Sequence, residues 1–121
     1  MEAARMADPD RERQQAAFGW ATLLRQHREA GRPWLEFLRS DSLSGGLYVL
    51  PAGAVDEQER HGEDEVYVVV AGASRFTAGE VTREVRAGDV LFVAAGVPHR
   101  FHDISDELRI IVVFAPPEGT G

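Results

Sequence analysis

The chain has 121 residues and a formal net charge of −7, enough for one domain with its own core and too little for two; it has no cysteine, which excludes disulfides, thiolate metal ligands and cysteine nucleophiles. All 13 basic residues are arginine, so Schiff-base chemistry is excluded, and the acidic balance disfavours nucleic acid, whose phosphates are held mainly by basic groups. Apolar runs reach only about eight residues against the roughly 20 needed to cross a bilayer, and the charged residues 1–13 lack the apolar stretch of a signal peptide, so a cytoplasmic protein without membrane partners is expected.

Taken in order, Asp8-Pro9-Asp10 offers a helix start. Phe18, Ala21 and Leu24, joined by Ala17 and Trp20, recur at helical spacing until Gly31-Arg32-Pro33 ends the pattern. One helix over about 12–30 is expected, packed on the β domain. His27, late in it, reads as a solvent-exposed residue that suits the helix C-terminus. The expected organisation is an N-terminal tail and helix over 1–33, a β domain over 34–117 and a C-terminal tail over 118–121.

Everything after Pro33 reads as strands and turns. Segments 34–39 and 47–50 are aromatic or β-branched, with Ser40-Asp41-Ser42 and Ser44-Gly45-Gly46 as punctuation. Segment 66–70 is wholly apolar. Segments 74–77 and 81–85 flank Ala78-Gly79-Glu80, a hairpin signal. Segments 90–93, 100–102 and 108–114 complete the set. In the last of these Leu108, Ile110, Val112 and Phe114 share one parity and are expected to line an interior. Many short strands with glycine-rich turns and one helix at the start predict an all-β sandwich or barrel. Trp34, Leu35, Phe37 and Leu38 are more apolar surface than one small barrel needs, and a two-fold homodimer is expected.

Period-two geometry also groups the chemistry. Glu59, His61 and Glu65 share the parity of Tyr67 and Val69, and His99 points the same way as Phe101, whereas His102 points oppositely. Two neutral imidazoles and a carboxylate suit a divalent ion and leave positions open for water or substrate. His61, Glu65 and His99 are the expected metal ligands, for Mn, Fe, Ni or Zn. Tyr67 reads mainly as core, though a phenol facing a cavity can pass a proton. His102 is expected at the rim, and Asp103 pinning the turn after His99.

The stretch from Gly53 to Asp103 resembles the cupin family. Gly53, His61, Glu65 and Gly72 fall in register with its first motif, G-x5-H-x-H-x3-4-E-x6-G, with Glu59 where the first histidine is usual. Gly88, Gly96 and His99 match its second motif, G-x5-P-x-G-x2-H-x3-N, with Ala94 in place of proline and Asp103 in place of asparagine. The run from Asp56 through Gln58, His61 and Glu65 to Tyr67 is also similar to a subgroup of small cupins reading D-x-Q-x-x-H-x-E-D-E-V-Y. The resemblance implies a jelly-roll β-barrel with one N-terminal helix and a metal site. Its fourth position is expected to be filled by Glu59 or Gln58, with water as a third choice. Glu59 and Tyr67 are the candidate catalytic groups. The expected function is that of a metal-binding domain acting on a small, partly apolar organic molecule, of dioxygenase, isomerase or cyclase type. The alternative is a non-catalytic module that binds a small ligand.

Overall fold

A computed structural model describes residues 14–57 and 61–121. Helix α1, Trp20–Ala30, precedes six strands: β1 Trp34–Arg39, β2 Ser44–Leu50, β3 Asp64–Ala78, β4 Val81–Arg86, β5 Val90–Val93 and β6 His99–Ala115.

The helix is shorter than its apolar spacing predicts. Residues 14–19 are exposed and non-helical, and residues 12 and 13 lie outside the described part. Gly19, with φ −71° and ψ 138°, is the extended residue from which the helix begins; glycine is a poor helix former, so the pattern upstream does not propagate through it. The face turned to the protein is also different. Leu23 is buried and Trp20, Leu24 and His27 are half-buried, whereas Phe18 and Ala21 are exposed. Gly31, at φ 70°, closes the helix by donating its N–H to the His27 carbonyl at 3.3 Å. The His27 ring is not merely solvated, since its Nε2 donates to the Pro33 carbonyl at 2.8 Å and ties the helix end to β1.

Strands expected separately at 66–70 and 74–77 are one long strand, β3, and those at 100–102 and 108–114 are one long β6. The two run antiparallel from Asp64↔Ala115 to Ala78↔His99, with register shifts between Val69 and Arg75. Gly72 sits at this bend with φ 99°, and a β-carbon on it would lie 2.2 Å from the Glu107 carbonyl oxygen. Only glycine fits there. The bend lets one pair of strands serve two layers. The first half of β3 pairs with the end of β6 and with β5, and its second half pairs with the start of β6 and with β4. The strand order is β1-β2-β6-β3-β4 with β5 on β3. This ladder has two ends, at β1 and β4, and does not close into a ring.

Ser44-Gly45-Gly46 belongs to β2 rather than to a turn. The reason is steric: a β-carbon on Gly46 would lie 2.2 Å from the Trp34 ring. The glycine lets that indole lie flat over β2, edge-on to Phe114 at 5.9 Å and to Tyr48 at 6.2 Å. On β6 the expected alternation holds, with Leu108, Ile110, Val112 and Phe114 all buried beside Tyr67, Val69, Phe76 and Phe101. Each such side chain contributes about 1.5–3 kcal/mol by leaving water. The apolar residues of β1 are half-buried within the chain. Exposed apolar residues cluster instead on the outer face of β3 and β5, where Val68, Val70, Val90 and Phe92 form a patch, with Phe18, Val55 and Val81 exposed elsewhere.

Residues 118–121, read from the sequence as a tail, are held in place. Buried Glu63 accepts hydrogen bonds from the amides of Gly119 at 3.2 Å and Gly121 at 2.9 Å. Ser44 Oγ accepts one from the Glu118 amide at 2.9 Å.

Candidate metal centre

His61 lies in the loop before β3, Glu65 is the second residue of β3, and His99 is the first residue of β6. Two cross-links hold the loops that carry the histidines. The Gly96 amide donates to the His61 carbonyl at 2.7 Å, and the Ala95 amide donates to Asp64 Oδ1 at 2.9 Å. Glu65 faces inward because it shares the parity of Tyr67 and Val69, and it is only 1% exposed.

The three groups offer ligand atoms that all lie within 4.8 Å of one another. Glu65 Oε2 is 3.0 Å from His99 Nε2, and Glu65 Oε1 is 3.7 Å from His61 Nε2. The tautomer of His99 follows from its other nitrogen. Nδ1 lies 2.8 Å from the Val97 carbonyl, which can only accept, so Nδ1 carries the proton. In the neutral ring Nε2 therefore aims a lone pair at a carboxylate oxygen, in a place where His99 is 4% exposed. Two acceptors 3.0 Å apart in a dry setting repel unless a cation, a proton or a metal ion, lies between them. Two imidazoles and one carboxylate are the donor set that a borderline divalent ion takes, so the residues fit such an ion.

Tyr67 packs as core and also makes a hydrogen bond at the site. Its ring is core, edge-on to Phe101 at 5.3 Å and Phe76 at 5.7 Å, and its hydroxyl donates to Glu65 Oε1 at 3.0 Å. The phenol thereby orients the ligand carboxylate. Gln58 and Glu59 lie outside the described residues. His102 faces away from His99 and Phe101, as its parity requires, and is half-buried. Asp103 does not pin a backbone amide; its carboxylate accepts from the His102 ring at 2.9 Å.

A cavity of about 340 Å³ opens on His61 and Glu65, walled by Trp34, Tyr48, Tyr67, Val112 and Phe114, with Arg32 and Glu118 also lining it. Sequence reasoning missed two of its supports. Tyr48 donates its hydroxyl to Asp56 Oδ1 at 2.8 Å, and Asp56 Oδ2 accepts the Phe101 amide at 2.8 Å. Asp56, in a stretch rich in acidic residues, is buried. Its place at the head of the D-x-Q run was the available signal.

The Cupin domain pattern matches residues 46–114. An uncharacterised protein of Streptomyces coelicolor is 52% identical over 85 residues, which span 70% of this chain and 81% of that one. Among solved structures, TT1209 from Thermus thermophilus aligns with a TM-score of 0.63 at 24% identity, over 75% of this chain and 94% of its own. KdgF from a Halomonas species aligns at 0.64 and 20% identity, over 69% and 76% respectively. An RmlC-like cupin from Methanocaldococcus jannaschii, described as a double-stranded β-helix, aligns at 0.63 and 19%, over 69% and 78%. At these identities the structural likenesses speak to fold alone. With its two motifs, its inward-facing His61, Glu65 and His99 and a matching pattern over more than half its length, the chain belongs to the cupin family.

Proposed function

We propose that this cupin binds a divalent ion, Mn, Fe, Ni or Zn, through His61, Glu65 and His99 and acts on a small, partly apolar organic anion. The observation that carries the reading is the convergence of His61, Glu65 and His99, whose ligand atoms all lie within 4.8 Å of one another. A divalent ion bound there supplies Lewis-acid polarisation of a substrate oxygen. One carboxylate and two neutral imidazoles balance only one of its two charges, so a singly charged enolate, diolate or carboxylate is the complementary ligand. Trp34, Val112 and Phe114 cover an apolar body, and Tyr48, fixed by Asp56, presents a phenol to it. Glu59 can take a proton from such a molecule, whereas Gln58 can only orient it. Oxygenation, isomerisation and cyclisation are the reaction types this set serves, in a jelly-roll fold.

The second reading, a non-catalytic ligand-binding module, draws its support from Tyr67, whose hydroxyl is engaged by Glu65. We also propose a two-fold homodimer, supported by the exposed patch of Val68, Val70, Val90 and Phe92. The functional test has two stages. The protein is loaded with each of the four metals, desalted and analysed for metal. Retention of none, or equal retention by His61→Ala and His99→Ala, would sink the metal centre. Loaded protein is then incubated with small enols, diols and keto acids, with and without O₂; new masses support the enzyme, and saturable binding without new mass supports the module.

A further inference from the structure

On the opposite face of the sheet from the metal centre, the geometry points to a second chemical site, in which His102 and Asp103 make Thr77 an acyl acceptor. Phe76 and Phe101 point into the core, so their neighbours Thr77 and His102 point outward. Register places Thr77 opposite Thr82 on β4 and opposite Arg100 on β6, with His102 two pairs further along on the same face, opposite Arg75. The side chains form a chain of short hydrogen bonds. Thr82 Oγ1 lies 2.7 Å from Thr77 Oγ1, Thr77 Oγ1 lies 2.7 Å from His102 Nε2, and His102 Nδ1 lies 2.9 Å from Asp103 Oδ2.

The direction of these bonds follows from the last one. An ionised carboxylate only accepts, so Nδ1 carries the ring proton, and in the neutral ring Nε2 accepts from the Thr77 hydroxyl. Thr77 Oγ1 can then accept from Thr82. The order carboxylate, imidazole, hydroxyl is the arrangement by which a base activates an alcohol for acyl transfer.

A second observation stands apart from the distances. Asp103, at φ 49°, is the one residue other than glycine with positive φ among the described residues. In a regular strand it would point away from His102; the left-handed backbone brings its carboxylate round to the ring. The His102 and Asp103 end of the chain borders a cleft of about 290 Å³, lined also by Ala54, Val55, Asp56 and Arg100 but not by Thr77. Its apolar side chains suit a small acyl group, and Arg100 offers a guanidinium to a developing negative oxygen beside the carboxylates of Asp56 and Asp103.

In the acyl-transfer step Thr77 Oγ1 attacks the carbonyl carbon of an activated ester. The hydroxyl proton passes to His102 Nε2 and from there to the departing oxygen. One C–O bond forms as another breaks, and no oxidant or co-reactant is needed. The site is separate from the cavity of His61, Glu65 and His99 and does not depend on the function proposed for it.

The test uses 4-nitrophenyl acetate on the purified protein, followed by tryptic digestion and fragmentation of the peptide 76–83, which contains both threonines. The chain has neither lysine nor cysteine, so the commonest competing acyl acceptors are absent. Acetyl on Thr77, well ahead of every serine and of the other threonines, is the expected result. Thr77→Val abolishes label on this peptide. His102→Gln lowers it by about 10²-fold or more, the loss of a positioned base, and Asp103→Asn lowers it by less. Label spread evenly over the hydroxyls of the wild-type protein, or unchanged at Thr77 in His102→Gln, overturns the proposal.

Discussion

Replacing Glu65 by glutamine should make the metal-free protein more stable in alkaline solution and less stable in acid. The isosteric amide keeps an oxygen for the Tyr67 hydroxyl, now 3.0 Å from Oε1, and puts an NH₂ donor where Oε2 faces His99 Nε2 at 3.0 Å. With the ring neutral, an acceptor–acceptor contact becomes a hydrogen bond, worth about 1–3 kcal/mol where the groups are buried. An unfolding entropy of about 2.1 cal/mol/K per residue over 121 residues makes each kcal/mol roughly 4 °C, so the variant should melt about 4–12 °C higher in chelator at alkaline pH. In acid the sign reverses. A protonated His99 donates to the wild-type carboxylate, a charge-assisted bond of about 1.5–3 kcal/mol that exists only below the pH at which the ring loses its proton, and the variant lacks it. Metal separates the two proteins further. At a free ion concentration 100 times Kd the wild type gains about 2.7 kcal/mol, roughly 11 °C, and the variant little. Calorimetry across pH, with chelator or with metal, reads all three. A variant that melts below the wild type in alkaline chelator, or that gains the full shift with metal, refutes the reasoning.

Glu59→Gln and Gln58→Ala should leave metal bound through His61, Glu65 and His99; in an enzyme one of them lowers turnover by about 10²-fold, and in a binding module each shifts ligand affinity by about 1–3 kcal/mol with no product. Gly46→Ala places a methyl group 2.2 Å from the Trp34 ring, and overpacking of this kind costs about 1–3 kcal/mol, seen as a lower melting point and a shifted tryptophan fluorescence; an unchanged melting point would show that the indole moves aside freely. Metal content should fall in acid as protons compete for both imidazoles, and retention of the ion under those conditions would exclude the histidines as ligands. Light scattering at low micromolar concentration should show twice the 13.3 kDa chain mass, and Phe92→Asp should shift the protein toward the single chain; a wild type of one chain mass removes the dimer.

What the sequence determined by itself is whatever depends on local periodicity and spacing. The alternation of Leu108, Ile110, Val112 and Phe114 decided which face of β6 is core, and the parity of Glu65 with Tyr67 and Val69 decided that the carboxylate points inward. The resemblance of two glycine- and histidine-bearing stretches to the cupin motifs marked His61, Glu65 and His99 as candidate ligands, and for Glu65 the strand's period of two agreed. Local pattern failed where a distant partner sets the outcome. Gly45-Gly46 read as a turn, yet it is strand because the Trp34 ring lies against it. Asp56 and Glu63 stand in an acidic stretch whose local pattern favours solvent, yet each is buried because backbone amides far along the chain, at Phe101, Gly119 and Gly121, donate to it. The outward chain from Thr82 through Thr77 to His102 and Asp103 was likewise invisible in one dimension, since two strand registers and one left-handed residue build it. Composition and periodicity constrain a residue's own backbone and face; which side chain far away in the sequence meets it is decided only when antiparallel pairing brings the two together.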